Sequence, residues 1–322
     1  MSGAMRRMAI NGWFWGQAAT GSGQYVQQLV RHLADCDFDA TWLLICPQPL
    51  PAAARAALPP AWEAHIAAPP AWLPGENLAK VWFEQVTFPR ACRRLSVDLA
   101  HVPYWGSPWW SPCPVVVTIH DLIPQLLPAY RGGLLLRAYT WLVGRTARRA
   151  AAVITDSQAA QRDIVQHLNL PATRVRVIYL AADGRNRHVT NADDLARVRS
   201  RYHLPDRFML YMGGFDVRKN VANIVRAFAL AAARGAIAPD VSLVIAGRLP
   251  TSDTAFHPDP RPLAQALGLH DRIVFTGWVA EADKPALFSL AEVFLFPSAY
   301  EGFGLPVLEA LACGTLVEGG NV

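Results

Sequence analysis

The 322-residue chain lacks the sequence features of a membrane-spanning, disulfide-stabilised or metal-binding protein. No uninterrupted apolar run reaches the ~18 residues that a membrane helix needs. Met1–Gly16 also lacks the apolar block of a signal peptide. The five cysteines are scattered and form no C-x₂-C pair, a pattern typical of reduced, buried thiols rather than of a disulfide framework or a metal site. These absences predict a cytoplasmic protein without a metal centre.

The chain also lacks blocks of like charge and any nucleic-acid-binding motif. A net charge of +5 can favour nucleic acid, an anionic membrane or a phosphorylated substrate. We expect phosphate rather than nucleic acid, because no motif supports the latter. A dinucleotide-dependent dehydrogenase is disfavoured as well, since Val26 occupies the third-glycine position of the G-x-G-x-x-G fingerprint that Gly21 and Gly23 would begin.

Short apolar runs alternate with helix-like stretches, a pattern that predicts an α/β protein with parallel sheets covered by helices. A chain of this length, with 52% hydrophobic residues, can form two domains with separate cores. The polar, aperiodic segment Ala182–Asn191 separates them, so we predict an N-terminal domain of residues 1–184 and a C-terminal domain of residues 185–322.

The predicted strands are Arg7–Asn11, Thr41–Cys46, Leu99–Val102, Val115–Ile119, Val153–Thr155, Arg176–Tyr179, Phe208–Met212, Ser242–Ala246, Ile273–Thr276 and Val293–Pro297. The predicted helices include Gln24–Ala34, Trp82–Arg94, Leu134–Ala150, Ala159–His167 and Val221–Ala233.

The most informative segment runs from Glu301 to Gly314. Pro306 suits the first turn of a helix, where its missing N–H costs nothing, and Gly314 suits the end of that helix. The glycines before Pro306 allow backbone N–H groups to approach an anion, and the helix dipole favours a phosphate at this position. Glu309 lies one turn inside the helix, where it can accept hydrogen bonds from hydroxyls of the molecule that carries the phosphate.

A second anion site is indicated after the strand Phe208–Met212. Gly213 and Gly214 follow this strand, and Arg218 and Lys219 follow the glycines before the next helix. Adjacent cations at such a turn suit a leaving diphosphate, because they neutralise charge as it develops. A solvated cation pair on the surface is the alternative.

Two weaker signals lie in the first half. His120 stands at the carboxyl end of the strand Val115–Ile119, where open α/β sheets bind ligands, and Asp121 either orients it or caps the turn. Gly21 and Gly23 precede a predicted helix and offer another close approach to an anion or a sugar.

Two further segments leave alternatives open. The aromatic, proline-rich stretch His101–Trp110 either packs its rings inward or presents them to a sugar or a membrane interface. Leu134–Arg149 combines leucine, tyrosine, tryptophan and arginine, and is compatible with a helix on an anionic bilayer or with ordinary amphipathic packing.

The segment Glu301–Gly314 resembles the E-x₇-E signature of the retaining, nucleotide-sugar-dependent glycosyltransferases of family 4, and Gly21–Tyr25, Val117–Asp121 and Arg218–Asn220 extend the resemblance to nearly the whole chain. It implies the GT-B fold, two Rossmann-like domains facing a cleft that holds the active site. The implied activity is transfer of a hexose from a nucleotide sugar to a glycan or lipid-linked acceptor, with retention of configuration. These segments are most similar to those of polysaccharide mannosyltransferases, which implies GDP-mannose as the donor.

The resemblance also implies individual roles, and it implies no cofactor and no obligatory metal. Relatives often carry an arginine at the position of Gly214, so the diphosphate contact is expected to rest on the two cations that follow. The implied catalytic residues are His120, Glu301 and Lys219. The implied nucleotide-sugar-binding residues are Gly21, Gly23, Gly213, Arg218, Lys219, Phe303, Gly304, Leu305 and Glu309, with Glu309 on the ribose.

Two rival functions remain. A sugar-nucleotide epimerase has the same fold and differs in isomerising its substrate without releasing nucleotide. Relatives continue past the position of Val322 with further strands and a final helix, so we expect a truncated second domain with weak nucleotide binding and slow or absent transfer. A non-catalytic remnant that binds sugar nucleotides is therefore the second rival. A lipid-linked acceptor would place the protein at the inner face of the membrane by peripheral contact.

Overall fold

The computed structural model describes residues 6–17 and 20–319. They form two compact units, which meet in the sequence between Tyr179 and Leu180. The division falls a few positions before the boundary predicted at residue 184, just after the last strand of the first unit.

The first unit is built on a parallel sheet of seven strands within the described residues. The strands are β1 (Arg6–Asn11), β2 (Ala40–Cys46), β3 (Trp62–Ile66), β4 (Leu99–Val102), β5 (Val115–Thr118), β6 (Ala152–Thr155) and β7 (Val175–Val177). Their order across the sheet is β3-β2-β1-β4-β5-β6-β7. The carboxyl ends of β1, β4, β5 and β6 are therefore consecutive along one edge, where parallel α/β sheets bind ligands.

Helices connect these strands. They are α1 (Gly21–Ala34), α2 (Ala52–Ala56), α3 (Glu76–Trp82), α4 (Phe88–Arg94), α5 (Ile123–Leu126), α6 (Leu134–Ala147) and α7 (Gln158–Leu168), with a π-helical turn at Phe83–Thr87 between α3 and α4. Side-chain caps fix two of the helix starts: Thr20 accepts a hydrogen bond from the Gly23 N–H, and Ser157 accepts one from the Ala160 N–H.

The core of the first unit lies on both faces of its sheet. Leu43 and Ile45 of β2 belong to one buried cluster, whereas Leu44 and Cys46 belong to another. Successive side chains of a strand point to opposite faces, so this alternation shows that both faces are covered.

The second unit repeats the design on a five-stranded parallel sheet, again counted within the described residues. The strands are β8 (Arg207–Met212), β9 (Val241–Ala246), β10 (Ile273–Gly277), β11 (Val293–Phe296) and β12 (Leu316–Gly319), in the order β10-β9-β8-β11-β12. The helices are α8 (Ala192–Arg201), α9 (Val221–Ala233), α10 (Pro260–Ala266), α11 (Lys284–Leu290) and α12 (Leu305–Ala312).

The predicted α/β class with two Rossmann-like parallel sheets is confirmed. Two local predictions were wrong. The predicted helix Trp82–Arg94 is interrupted by the π-helical turn. The helix predicted to start at Gln24 begins at Gly21, so the two glycines lie in its first turn rather than in a loop, because Thr20 caps the helix three residues before Gly23.

Candidate active site

Three glycines lie at the carboxyl edge of the second sheet, where β8, β9 and β10 end. Gly213 donates its N–H to the carbonyl of Ala246, and Gly247 donates to the carbonyl of Gly277. Gly247 has a φ of +145°, and a Cβ there would lie 2.1 Å from the Gly213 carbonyl oxygen. Only glycine allows this contact, so the backbone after β8 is held in place by close packing.

Next to this turn, a carboxylate joins the two predicted cations. Glu301 Oε1 lies 2.6 Å from Arg218 Nη1 and 2.6 Å from Lys219 Nζ. Arg218 Nη1 also donates to the Tyr300 carbonyl at 2.9 Å, and the Ala299 N–H donates to the Arg218 carbonyl at 2.8 Å. The loop before α9 and the loop before α12 are thus held together by charge-assisted and backbone hydrogen bonds.

This group is largely withdrawn from water. The side chains of Arg218, Lys219 and Glu301 are only 11%, 16% and 16% exposed. Burial alone would raise the pKa of Glu301, but the charges of Lys219 and Arg218 outweigh it and hold the pKa below the ordinary value for a glutamate. Glu301 is therefore ionised at neutral pH, and the interpretation of the two cations as a solvated surface pair is wrong.

Helix α12 begins directly after this loop. Gly304, in the left-handed conformation with a φ of +92°, immediately precedes the helix, and Pro306 is in its first turn as predicted. Pro306 has no N–H and the Val307 N–H donates to the Gly304 carbonyl at 2.9 Å, so an anion at the start of α12 would be favoured mainly by the helix dipole. Phe303 and Leu305 flank Gly304 at this point.

Glu309 lies one turn further along α12 and is half-buried. No hydrogen bond or ion pair from any residue in the described ranges holds its carboxylate. Burial raises the pKa of Glu309, with Lys284 opposing the shift and Glu281 and Asp183 adding to it. A half-buried carboxylate with open acceptor sites is suited to receive hydroxyl hydrogen bonds from a ligand.

The first unit carries a second polar group. His120 Nδ1 lies 2.6 Å from Asp156 Oδ2, and Asp156 is 2% exposed at the end of β6. The Tyr25 ring meets the imidazole edge to face at 4.6 Å. Because the Nδ1–H donates a hydrogen bond to the Asp156 carboxylate, the ring orientation is fixed and Nε2 is the nitrogen left for other partners.

Asp156 also controls the charge of this histidine. Burial by itself would lower the pKa of His120, but Asp156 and, more weakly, Asp121 reverse the shift and raise the pKa above its ordinary value. His120 Nε2 and Asp156 Oδ1 are both buried and have no hydrogen-bond partner among the described residues. Asp121 caps a turn instead, since its Oδ1 accepts the Ile123 N–H at 2.9 Å.

The structure gives the remaining predicted glycines different environments. A Cβ on Gly23 would lie 2.1 Å from the Gln17 carbonyl oxygen, so close chain packing requires this glycine. Gly21 is exposed and has open space around its Cβ position. Gly213 lies under the hydroxyl of Tyr211, which would be 2.8 Å from a Cβ.

The second unit therefore brings Arg218, Lys219 and Glu301 into direct contact and places the turn at Gly213 and the start of α12 on the same sheet edge. His120 lies in the first unit. Sequence reasoning missed Asp156 and Tyr25. Asp156 directly follows the predicted strand Val153–Thr155, and that position at a strand end was the available signal.

Comparisons with known proteins agree with this organisation. Residues 19–184 match the family described as Glycosyltransferase Family 4, and residues 194–319 match the one described as Glycosyl transferases group 1. The chain is 31% identical over 229 residues to the serotype-specific mannosyltransferase WbdA of Escherichia coli, a match covering 69% of the chain and 26% of that protein. It is also 36% identical over 176 residues to the alpha-D-kanosaminyltransferase of Streptomyces kanamyceticus, covering 53% of the chain and 42% of that protein. The chain thus spans about a quarter to less than half of these relatives' lengths.

Solved structures show the same fold. The sucrose-phosphate synthase of Thermosynechococcus elongatus superimposes with a TM-score of 0.73 at 21% identity, covering 98% of this chain and 82% of that one. Anabaena HepE in complex with UDP-glucose gives a TM-score of 0.70 at 18% identity, covering 98% and 80%. The architecture is that of the GT-B glycosyltransferases. With more than half of its residues matched by the family 4 domain, this chain belongs to Glycosyltransferase Family 4.

Proposed function

We propose that the chain transfers a hexosyl group from a nucleotide sugar to an acceptor, with retention of anomeric configuration. One observation carries the proposal: the largely buried cluster of Arg218, Lys219 and Glu301 joins the loop after β8 to the loop before α12. Two cations and a helix N-terminus on one sheet edge suit a diphosphate. Membership of family 4 supports the same reaction class.

In this proposal, the second unit binds the nucleotide and stabilises the leaving group. Glu309 accepts hydrogen bonds from the ribose, and the backbone at Gly213, Gly304 and Leu305 approaches the diphosphate. Lys219 uses one of its three N–H donors on Glu301, so it retains donors for a phosphate oxygen. Charge that develops on the diphosphate as the glycosidic bond breaks is neutralised by this lysine and by Arg218.

Retention follows if the acceptor enters on the face that the diphosphate leaves. An oxygen of the departing diphosphate can then take the proton of the acceptor hydroxyl, so no separate general base and no metal are required. We assign Glu301 a second task, to contact hydroxyls of the donor sugar. We assign His120, oriented by Asp156, to donate a hydrogen bond through Nε2 to the substrate.

We propose mannose as the sugar and a glycan or lipid-linked sugar as the acceptor. Three of the relatives are serotype-specific mannosyltransferases of Escherichia coli, and a fourth is an O-antigen chain mannosyltransferase. The donor nucleotide is open to test, because HepE binds UDP-glucose. A lipid-linked acceptor would require the chain to work at a bilayer surface, and we propose peripheral contact of that kind.

The test is calorimetric titration of the chain with GDP-mannose, UDP-glucose and ADP-glucose, followed by incubation of the tightest donor with glycan acceptors. We expect release of nucleoside diphosphate and a product whose anomeric configuration, read by NMR coupling, matches the donor. Release of nucleotide excludes an epimerase, and binding without transfer to any acceptor would support the non-catalytic alternative.

Lys219→Met sharpens the test, because methionine keeps the stem of the side chain and removes its charge. We expect turnover to fall by roughly a hundredfold, with a smaller loss of donor affinity, since the charge acts mainly in the transition state. Arg234→Ala, an exposed arginine after α9, is the matched control. Equal turnover in the two variants would remove Lys219 from the mechanism.

A further inference from the structure

Helix α6 of the first unit carries several apolar side chains on its outer surface. Leu134 and Leu135, at the start of α6, are 82% and 83% exposed, and Trp141, two turns later, is 58% exposed. Exposing adjacent large apolar side chains in water is unfavourable, and contiguous apolar patches mark interaction sites. Within residues 6–17 and 20–319, no helix has the length and hydropathy of a transmembrane segment.

The opposite face of α6 anchors it to the unit. Val143, Gly144 and Ala147 are buried, and the Tyr139 hydroxyl donates towards the fully buried carboxylate of Glu84. The helix therefore has a fixed inner face and an outer face that the rest of the described chain does not cover. Leu134, Trp141 and Arg145 recur at helical spacing, which places them on the same side.

The charge around this outer face has one sign. From Leu122 to Thr155 the chain has no aspartate or glutamate, and it has five arginines, at positions 131, 137, 145, 148 and 149. No ion pair from a described residue neutralises any of the five. The apolar residues at the start of α6 therefore lie within a region of unbalanced positive charge.

Two of these arginines stack on exposed tryptophans. The Arg145 guanidinium lies 5.2 Å from the centre of the Trp141 ring, and that of Arg149 lies 3.8 Å from the centre of the Trp109 ring. Tryptophan prefers the boundary between lipid and water, and arginine prefers the phosphate level just above it. Exposed leucines, tryptophans and arginines thus occur together on α6 and the loop that Arg149 contacts, a combination of side chains that suits a lipid headgroup region.

We propose that the outer face of α6, with Leu134, Leu135, Trp141, Arg137 and Arg145, docks onto an anionic lipid bilayer. Leucines enter the boundary of the acyl chains while arginines bind lipid phosphates. A symmetric contact with a second copy is disfavoured, because it would bring two arginine-rich surfaces together. This docking surface is argued from α6 itself. Only its link to a lipid-linked acceptor rests on the proposed transfer reaction.

The experiment is co-sedimentation of the full chain with vesicles of equal parts phosphatidylglycerol and phosphatidylcholine, and with vesicles of phosphatidylcholine alone. We expect binding to the anionic vesicles at low salt and at least tenfold weaker binding at high salt. The variant L134S/L135S/R137E should bind anionic vesicles at least tenfold more weakly than the unmodified chain.

The matched control is L230S/R234E, which replaces an exposed leucine and an exposed arginine on and just after α9 of the second unit. It should bind vesicles as the unmodified chain does. Equal binding to both vesicle types, no binding to either, or equal loss in the two variants would overturn the proposal. A change in the sedimenting mass of the α6 variant in the absence of vesicles would also overturn the proposal, because it would show that this face is a contact between copies of the chain.

Nucleotide affinity, measured by calorimetry without vesicles, separates this inference from the transfer reaction. If the α6 variant loses vesicle binding and keeps nucleotide affinity, the bilayer surface is established whatever the sugar donor is. If the unmodified chain binds vesicles and no nucleotide, the transferase proposal fails and the docking surface stands.

Discussion

At the scale of single residues, the second unit separates two glutamates that the sequence places eight positions apart. Glu301 is held by two cations and has a lowered pKa, whereas Glu309 has no such partner in the described structure and has a raised pKa through burial. The Glu301 carboxylate thus positions the two cations, whereas the Glu309 carboxylate has open acceptor sites. Their environments assign them different tasks despite their shared motif.

Glu309→Gln should weaken nucleotide binding without unfolding the unit. A carboxylate accepts hydroxyl hydrogen bonds more strongly than an amide, and the loss for a charged hydrogen bond is about 1–3 kcal/mol. Calorimetry with the preferred nucleotide measures the change, and circular dichroism checks the fold. Affinity equal to that of the unmodified chain would exclude Glu309 from the ribose site.

Asp156→Asn should lower the pKa of His120. Burial already acts to lower this pKa, and Asp156 provides the largest opposing effect, so removing its charge leaves the desolvation uncompensated. NMR titration of the imidazole measures the change in the pKa of His120. Asp163→Asn on α7 is the control, because it leaves the contact between Asp156 and His120 in place. An unchanged pKa in the Asp156 variant would show that the 2.6 Å contact does not set the charge of His120.

At the scale of elements, the sequence predicts where most strands lie along the chain but not which strands are adjacent in the sheet. Apolar runs marked ten of the twelve strands that residues 6–17 and 20–319 form, because buried parallel strands are almost continuously hydrophobic. It missed β3, a short edge strand with the polar sequence WEAHI, and α8, which buries only Val198. Asp156 escaped notice for a related reason, since its contact with His120 depends on β5 and β6 being adjacent, and sheet order is not encoded in periodicity.

The loops at the edge of the second sheet give an element-scale prediction. Gly247→Ala should destabilise the second unit and weaken nucleotide binding, because its Cβ would collide with the Gly213 carbonyl and displace the turn before Arg218. Strain of this kind costs about 1–3 kcal/mol. Gly184→Ala, at a position with open space, is the matched control and should be near neutral. Urea unfolding and nucleotide titration test both variants, and similar results for the two would show that the turn tolerates a side chain.

At the scale of the whole molecule, stability should depend on pH through one buried carboxylate. Glu84, in the π-helical turn, is 0% exposed, accepts from the Tyr139 hydroxyl at 3.0 Å and lies 3.4 Å from Lys80 Nζ. Burial raises the pKa of Glu84 to about 7, with Lys80 and Tyr139 opposing the shift. The folded chain therefore holds this proton more tightly than the unfolded chain does.

Glu84 should make the protein less stable as pH rises. The stabilisation that Glu84 gives to the folded state is fully present below the ordinary glutamate pKa of about 4.5 and is lost as pH rises through about 7. The size of the pKa shift corresponds to a loss of ~3 kcal/mol in the free energy of unfolding. Glu84→Gln should remove this part of the pH dependence, measured as the free energy of urea unfolding between pH 5 and pH 8 (about one proton's worth of slope). Glu76→Gln, at an exposed position of the same unit with no ion pair among the described residues, is the control and should leave the slope intact. Parallel slopes for all three proteins would refute the assignment.

The parallel pairing of both sheets has a consequence for how the chain reaches its native state. Met8 pairs with Leu99 in the first sheet, and Met209 pairs with Val293 in the second, so neither sheet centre can close before a long stretch of chain has been made. Contacts between residues so distant in sequence form slowly, because the entropy of closing the loop is lost before the contact stabilises anything. Partly folded chains with open strand edges should therefore accumulate during synthesis, and recovery of native protein should depend on expression rate, temperature and chaperone supply.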